Sequence, residues 1–120
     1  MKILHLEYSS FFSKIVKDMI DKMGYSIIQS KNGNDIYKIL ATEDIRLVIT
    51  SLELSDTTAK DIVSELKNSK YDYIPIIIMT ANNIDDAKHT LEGLGVENFI
   101  KKQDLTFEGF YQMVDDILDI

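Results

Sequence analysis

The feature that most constrains this chain is an alternation repeated five times from one end to the other. A short apolar run is followed each time by a stretch whose apolar residues recur at three- and four-residue spacing. Such runs read as strands buried in a sheet, and such spacing reads as helices with one inward face. The first run spans Lys2 to Glu7. The helix after it is expected to reach Met23, with Phe12, Ile15, Val16, Met19 and Met23 inward. Ser9 or Ser10 is placed to cap it and Gly24 to end it. The second strand is Tyr25 to Ser30, followed by the turn residues Lys31-Asn32-Gly33-Asn34. A helix over Asp35 to Glu43 then carries Ile36, Ile39 and Leu40 inward.

The third run is Ile45 to Ser51. Thr57 or Thr58 opens the helix of Ile62, Val63 and Leu66. Pro75 precedes Ile76-Ile77-Ile78-Met79-Thr80, whose lack of alternation suits a central strand covered on both faces. The spacing predicts a helix over Ile84 to Leu94, closed by Gly95. A short strand follows at Asn98 to Lys101, and a last helix runs from Phe107 to Ile120. Strands alternating with helices imply parallel pairing through right-handed crossovers. The fold class is therefore α/β, a doubly wound five-stranded parallel sheet with five helices. The length of 120 residues fits one domain over 1–120.

Composition narrows the function. The net charge of −7 repels phosphate backbones and anionic lipid, so no nucleic-acid or membrane partner is expected. With no cysteine, thiolate metal sites and cysteine nucleophiles are excluded. No apolar run approaches a membrane span, and Glu7 interrupts the N-terminal run too soon for a signal peptide. A cytoplasmic location is expected.

In doubly wound sheets, ligands sit at the C-terminal strand ends. Those ends carry Glu7 and Tyr8 after the first strand, Ser51 after the third, Thr80 after the fourth, and Lys101-Lys102 after the fifth. In that order the set resembles the receiver domain of bacterial two-component response regulators, over the whole chain. Thr80-Ala81, Lys102, the aromatic Phe99 three residues before it, and the stretch Gly93 to Ile100 all carry the likeness. The resemblance implies a flavodoxin-like (CheY-like) strand order 2-1-3-4-5. It also implies two acidic residues holding Mg²⁺, a phosphoacceptor Asp after the third strand, a coupling pair at Thr80 and Phe99, and partner binding through helix 4, strand 5 and helix 5 or through helix 1.

The departures fall at the chemistry. Ser51 stands at the phosphoacceptor position and Glu7-Tyr8 at the acidic pair. Ser55, Ala59 and Gln103 stand where the family has Pro, Gly and Pro. Phosphoryl transfer needs a carboxylate nucleophile and a cation on the phosphoryl oxygens. A serine hydroxyl is a weak nucleophile without a base, and Mg²⁺ wants several oxygen ligands. The expectation is a pseudo-receiver with no cofactor and no enzymatic activity. It would act through protein partners: a kinase, an output domain or a second copy. The alternative is a degenerate acceptor using Glu53 or Asp56.

Glu7 and Lys102 are expected to form an ion pair in place of the metal. Tyr8 either fills the phosphate space or stands exposed. His5 and His89 have no partner at metal-ligand spacing and are read as structural or exposed. Phe107, Phe110, Tyr111 and Met113 exceed one buried stripe and are candidates for an interaction face, with Phe11 a second candidate. Asp115, Asp116 and Asp119 read as a solvated face. The chain is read either as a stand-alone domain or as the N-terminal part of a longer regulator.

Overall fold

The computed structural model describes residues 1–119. Its strands are β1 (Lys2–Leu6), β2 (Ser26–Ser30), β3 (Ile45–Ser51), β4 (Ile76–Thr80) and β5 (Asn98–Lys101). Its helices are α1 (Ser10–Met23), α2 (Ile36–Thr42), α3 (Ala59–Lys67), α4 (Ile84–Thr90) and α5 (Phe107–Ile117). All strand pairs are parallel, in the order β2-β1-β3-β4-β5. The sheet is α/β, doubly wound and CheY-like, as the alternation and the resemblance implied.

The two-residue period of the strands divides the core. Leu4, Leu6, Val48, Ile76 and Ile78 face one side, under Ile36 and Leu40 of α2 and Ile62, Val63 and Leu66 of α3. Ile3, Leu47, Ile49, Ile77 and Met79 face the other, under Val16 and Ile20 of α1 and Phe110 and Val114 of α5. The three central strands are buried along nearly their whole length. That explains why their sequences lack polar alternation.

The helix ends follow from local chemistry. Ser9 caps α1 by accepting from the Phe12 N–H, and Gly24 ends it in the left-handed conformation at φ 84°. Thr58 caps α3, Asn83 caps α4 and Thr106 caps α5 in the same way. Two helices differ from expectation. α4 stops at Thr90 rather than Leu94, because Gly93 and Gly95 both adopt positive φ and turn the chain toward β5. α2 starts at Ile36, after a 3-10 turn over Gly33–Asp35. α5 ends at Ile117, and Ile120 lies outside the described residues.

Gly33 is buried where the β2–α2 loop passes over α3. A Cβ there would collide with the Thr57 methyl and lie 2.7 Å from Ile62 Cδ1. Among the described residues, no helix is long and apolar enough to cross a membrane.

Candidate functional site

The C-terminal strand ends bring Glu7, Ser51, Thr80 and Lys102 around one hollow of about 220 Å³, with Tyr8 at its mouth. Sheet geometry dictates the grouping. β1, β3 and β4 lie side by side, and β5 delivers the Lys101–Lys102 segment beside Thr80. Glu7 follows β1 directly and is 2% exposed.

Every oxygen of the Glu7 carboxylate has a partner. Lys102 Nζ lies 2.7 Å from Oε1. The Ser51 hydroxyl lies 3.2 Å from Oε1 and 3.3 Å from Oε2, so its one proton is shared between them. The Ser9 N–H donates to Oε2 at 3.1 Å. Lys102 in turn has its ammonium 4.7 Å from the Phe12 ring centroid, and its side chain is only 10% exposed. A buried charge needs compensation from a paired charge and hydrogen bonds, and this one has both.

Thr80 is buried and its Oγ1 accepts from the Asn82 N–H at 2.9 Å, which turns the chain after β4. Phe99 is half-buried against the α2–α3 core cluster, with the Lys88 ammonium 5.9 Å from its ring centroid. Tyr8 is 62% exposed, so it borders the hollow without filling it.

A hard divalent cation takes about six oxygen ligands, several of them carboxylates or water. Here one strand-end carboxylate is present, and its oxygens already accept from an ammonium, a hydroxyl and an amide. Among the described residues, no three of His, Cys, Asp or Glu converge on a point that could hold a metal. The residues do not fit Mg²⁺.

The remaining candidates separate clearly. Asp56 is exposed but committed: its two oxygens accept from the backbone N–H groups of Gly33 at 2.8 Å and Asn34 at 2.9 Å. Desolvation pushes its carboxyl up, but these backbone donors outweigh it and the pKa lies below the usual value. Glu53 is exposed, with a backbone bridge to Thr58. His89 is exposed, 3.6 Å from Glu92.

On α5, Phe110 is 1% exposed and belongs to the core beneath the sheet, which corrects its place on the expected interaction face. Its position three residues after Phe107 turns it inward, while Tyr111 stays exposed. Phe107 and Met113 are half-buried. Phe11 is 67% exposed.

Sequence reasoning missed three contributors. Phe12, inward by spacing, instead lies against the Lys102 ammonium. Ser9 both caps α1 and holds Glu7. Gln29 reaches across to accompany His5, donating to the Ser13 carbonyl at 2.6 Å and lying 3.1 Å from His5 Nδ1. The Gln29 amide makes Nδ1 the acceptor, so His5 carries its proton on Nε2. That atom is buried with no hydrogen-bond partner. Burial lowers the His5 pKa to about 4; Glu7 pushes it up and Lys102 pushes it down.

The comparisons with known proteins agree with this architecture. The chain is 28% identical to chemotaxis protein CheY1 of Helicobacter pylori over 105 residues, covering 85% of each. It is 25% identical to the transcriptional regulatory protein CrdR of the same species, covering 84% of this chain and 47% of CrdR. The chain thus spans about half the length of that regulator. A signal receiver domain of a histidine kinase from Syntrophus aciditrophicus superimposes with a TM-score of 0.84, at 23% identity, covering 98% of this chain and 89% of that one. The family model described as the response regulator receiver domain matches residues 3–113. The chain belongs to the response regulator receiver domain family of two-component signalling.

Proposed function

We propose that this receiver domain is a pseudo-receiver. Its strand-end site is closed by an internal ion pair, and the domain acts by protein–protein contact rather than by accepting a phosphoryl group. The observation that carries this reading is the Glu7–Lys102 pair at 2.7 Å with the Ser51 hydroxyl on the same carboxylate. In that arrangement Lys102 neutralises Glu7, leaving neither a free cation for a phosphoryl oxygen nor a free carboxylate for a metal. Ser51 donates its proton to Glu7, but nothing beside it brings a phosphoryl donor or stabilises one.

No enzymatic activity is proposed. The other carboxylate bordering the hollow, Glu53, is exposed and shares no hydrogen bond with Glu7 through which a proton transfer could be divided. The proposed contacts lie on the α4–β5–α5 side, where Phe107, Tyr111 and Met113 remain accessible in part, or around Phe11 on α1. The partner classes are a kinase, an output domain or a second copy, within the cytoplasm.

The alternative acceptors have less support. Asp56 is occupied in holding the β2–α2 loop, and Glu53 has no cation beside it in the hollow other than the paired Lys102. Intact mass after incubation with acetyl phosphate, with and without Mg²⁺, tests the reading. No adduct on folded protein is expected. A Mg²⁺-dependent, base-labile adduct would overturn it and direct mapping to Glu53 and Asp56.

A further inference from the structure

Of the six asparagines in the chain, only Asn32 precedes a glycine. An asparagine in that position is prone to a reaction with its own backbone, in which the nitrogen of the next residue attacks the side-chain carbonyl carbon. Glycine has no Cβ, so it leaves that nitrogen open to approach and the chain free to turn. Asn32 is exposed. Among the described residues nothing holds its Nδ2, the atom that would leave as ammonia.

The fold keeps this pair in a form that does not react. Asn32 is extended, with φ −114° and ψ 131°. Closing a five-membered imide needs the Gly33 nitrogen swung round to the Asn32 side chain, so ψ must turn well away from that value. Several contacts resist the turn. Asp56 Oδ1 accepts from the Gly33 N–H at 2.8 Å, and Oδ2 accepts from the Asn34 N–H at 2.9 Å. Gly33 is buried against Thr57 and Ile62, where even a Cβ has no room. The Ser55 hydroxyl holds Asn32 Oδ1 to the β3–α3 loop. The attacking nitrogen must also lose its proton, and a carboxylate that accepts this N–H favours the protonated form.

We propose that Asn32 is a site of intramolecular deamidation and that Asp56 is the latch that keeps it closed in the folded domain. When the β2–α2 loop opens, the Gly33 nitrogen forms a bond to Asn32 Cγ and gives up its proton to solvent. The Cγ–Nδ2 bond breaks, and the amide takes up a proton and leaves as ammonia. Water then adds to one carbonyl of the imide. Addition at Cγ yields an aspartate, and addition at the main-chain carbonyl yields an isoaspartate, with the chain running through the side-chain carbon. Either product adds a negative charge beside Asp35 and Asp56. The isoaspartate also lengthens the backbone immediately before Gly33, so the Gly33 and Asn34 N–H groups no longer meet the two Asp56 oxygens together. A loop modified in this way does not latch again. The proposal is independent of whether the strand-end site accepts a phosphoryl group.

The test incubates the whole chain in mildly alkaline buffer, folded and unfolded in urea. Peptide mass mapping locates the converted residue. Methyl transfer from S-adenosylmethionine by an isoaspartyl methyltransferase detects the isoaspartate. In urea, Asn32 is expected to convert ahead of the other asparagines, with Asn68-Ser69 as the internal comparison. In the folded chain, conversion at Asn32 should be roughly tenfold or more slower, since it waits on local opening. Folded Asp56→Ala should convert at Asn32 roughly tenfold faster than the folded parent, because two charge-assisted hydrogen bonds are lost. Circular dichroism checks its fold. Asp56→Asn, which keeps the shape, is the second variant and should fall between the two.

A different asparagine converting first in urea would overturn the site. Equal rates in the folded and unfolded parent would overturn the latch. So would folded Asp56 variants that convert no faster than the folded parent. Hydrogen exchange of the isoaspartyl form completes the test: fast exchange at Gly33 and Asn34 is expected, and protection equal to the parent's would overturn the loss of relatching.

Discussion

Lys102 and Glu7 form a nearly buried ion pair across the top of the sheet, 2.7 Å apart and joined from residues 95 positions apart in the chain. Removing one member of such a pair leaves an uncompensated charge, which costs about 3–5 kcal/mol, whereas replacing both with apolar groups is often close to neutral. Lys102→Met is therefore expected to lower the stability of the domain by about 3 kcal/mol. The double variant Glu7→Leu, Lys102→Met should recover most of that loss. Urea unfolding of the parent chain, Glu7→Leu, Lys102→Met and the double variant measures it, and additive losses would show that the two side chains do not act as a pair.

Restoring carboxylates tests what the site lacks. In Tyr8→Asp, Ser51→Asp, two new strand-end acids would join Glu7 around the hollow, beside Glu53 and with Thr80 and Lys102 already in place. The double variant is expected to bind Mg²⁺ and to gain a base-labile phosphoryl adduct from acetyl phosphate, while Ser51→Asp alone, with one acid of the pair still missing, gains much less. Intact mass reads both. A double variant that folds and stays unmodified would mean that something other than these residues closes the site.

His5 gives the domain an acid-sensitive core. Burial holds its pKa down at about 4, against 6.5 for a free side chain. Between those values the unfolded chain takes up a proton that the folded chain refuses, so stability falls as the pH drops from 6.5 toward 4. The full effect is roughly 3 kcal/mol. His5→Leu is expected to flatten the pH dependence in that window, as read by thermal unfolding. A slope unchanged by the substitution would assign the acid sensitivity to other groups.

Asp56 acts at lower pH; its pKa is lowered too, but against desolvation and by backbone hydrogen bonds that favour the charged carboxylate. Its lowered pKa means that its contribution is present above the ordinary carboxylate range and disappears as the pH falls through the folded value, below about 4. Asp56→Asn keeps the shape but weakens acceptance from Gly33 and Asn34. It should raise amide exchange in the Asn32–Asp35 turn without moving the sheet. Gly33→Ala should cost more, about 1–3 kcal/mol, because its Cβ meets Thr57 and Ile62.

The fold was legible because its signals are local and repeated. The Ile76–Met79 run, the Ser9 and Thr58 caps and Gly24 each identify an element without knowledge of its neighbours. The grouping of Glu7, Ser51, Thr80 and Lys102 was legible for the same reason, since parallel strands place their C-terminal ends together. What was not legible depends on side-chain direction across elements. Phe12 sits on the inward stripe of α1 by spacing, and only the path of Lys102 decides that the two meet. Phe110 looked like surplus surface because the α5 sequence has more apolar positions than a single stripe, and only packing against the sheet shows which of them turns in. Gln29 beside His5 needed the β1–β2 register, which pairs those two residues.

Ser9 closes a circle that runs through both ends of the chain. Its hydroxyl accepts from the Phe12 amide, its own amide holds Glu7, Glu7 holds Lys102, and Lys102 lies on the Phe12 ring. The linkage joins the first turn of α1 to Lys102, the first residue after β5, and so to the segment that leads into α5. The first turn of α1 and the end of β5 thus share one set of contacts, although they lie at opposite ends of the sequence.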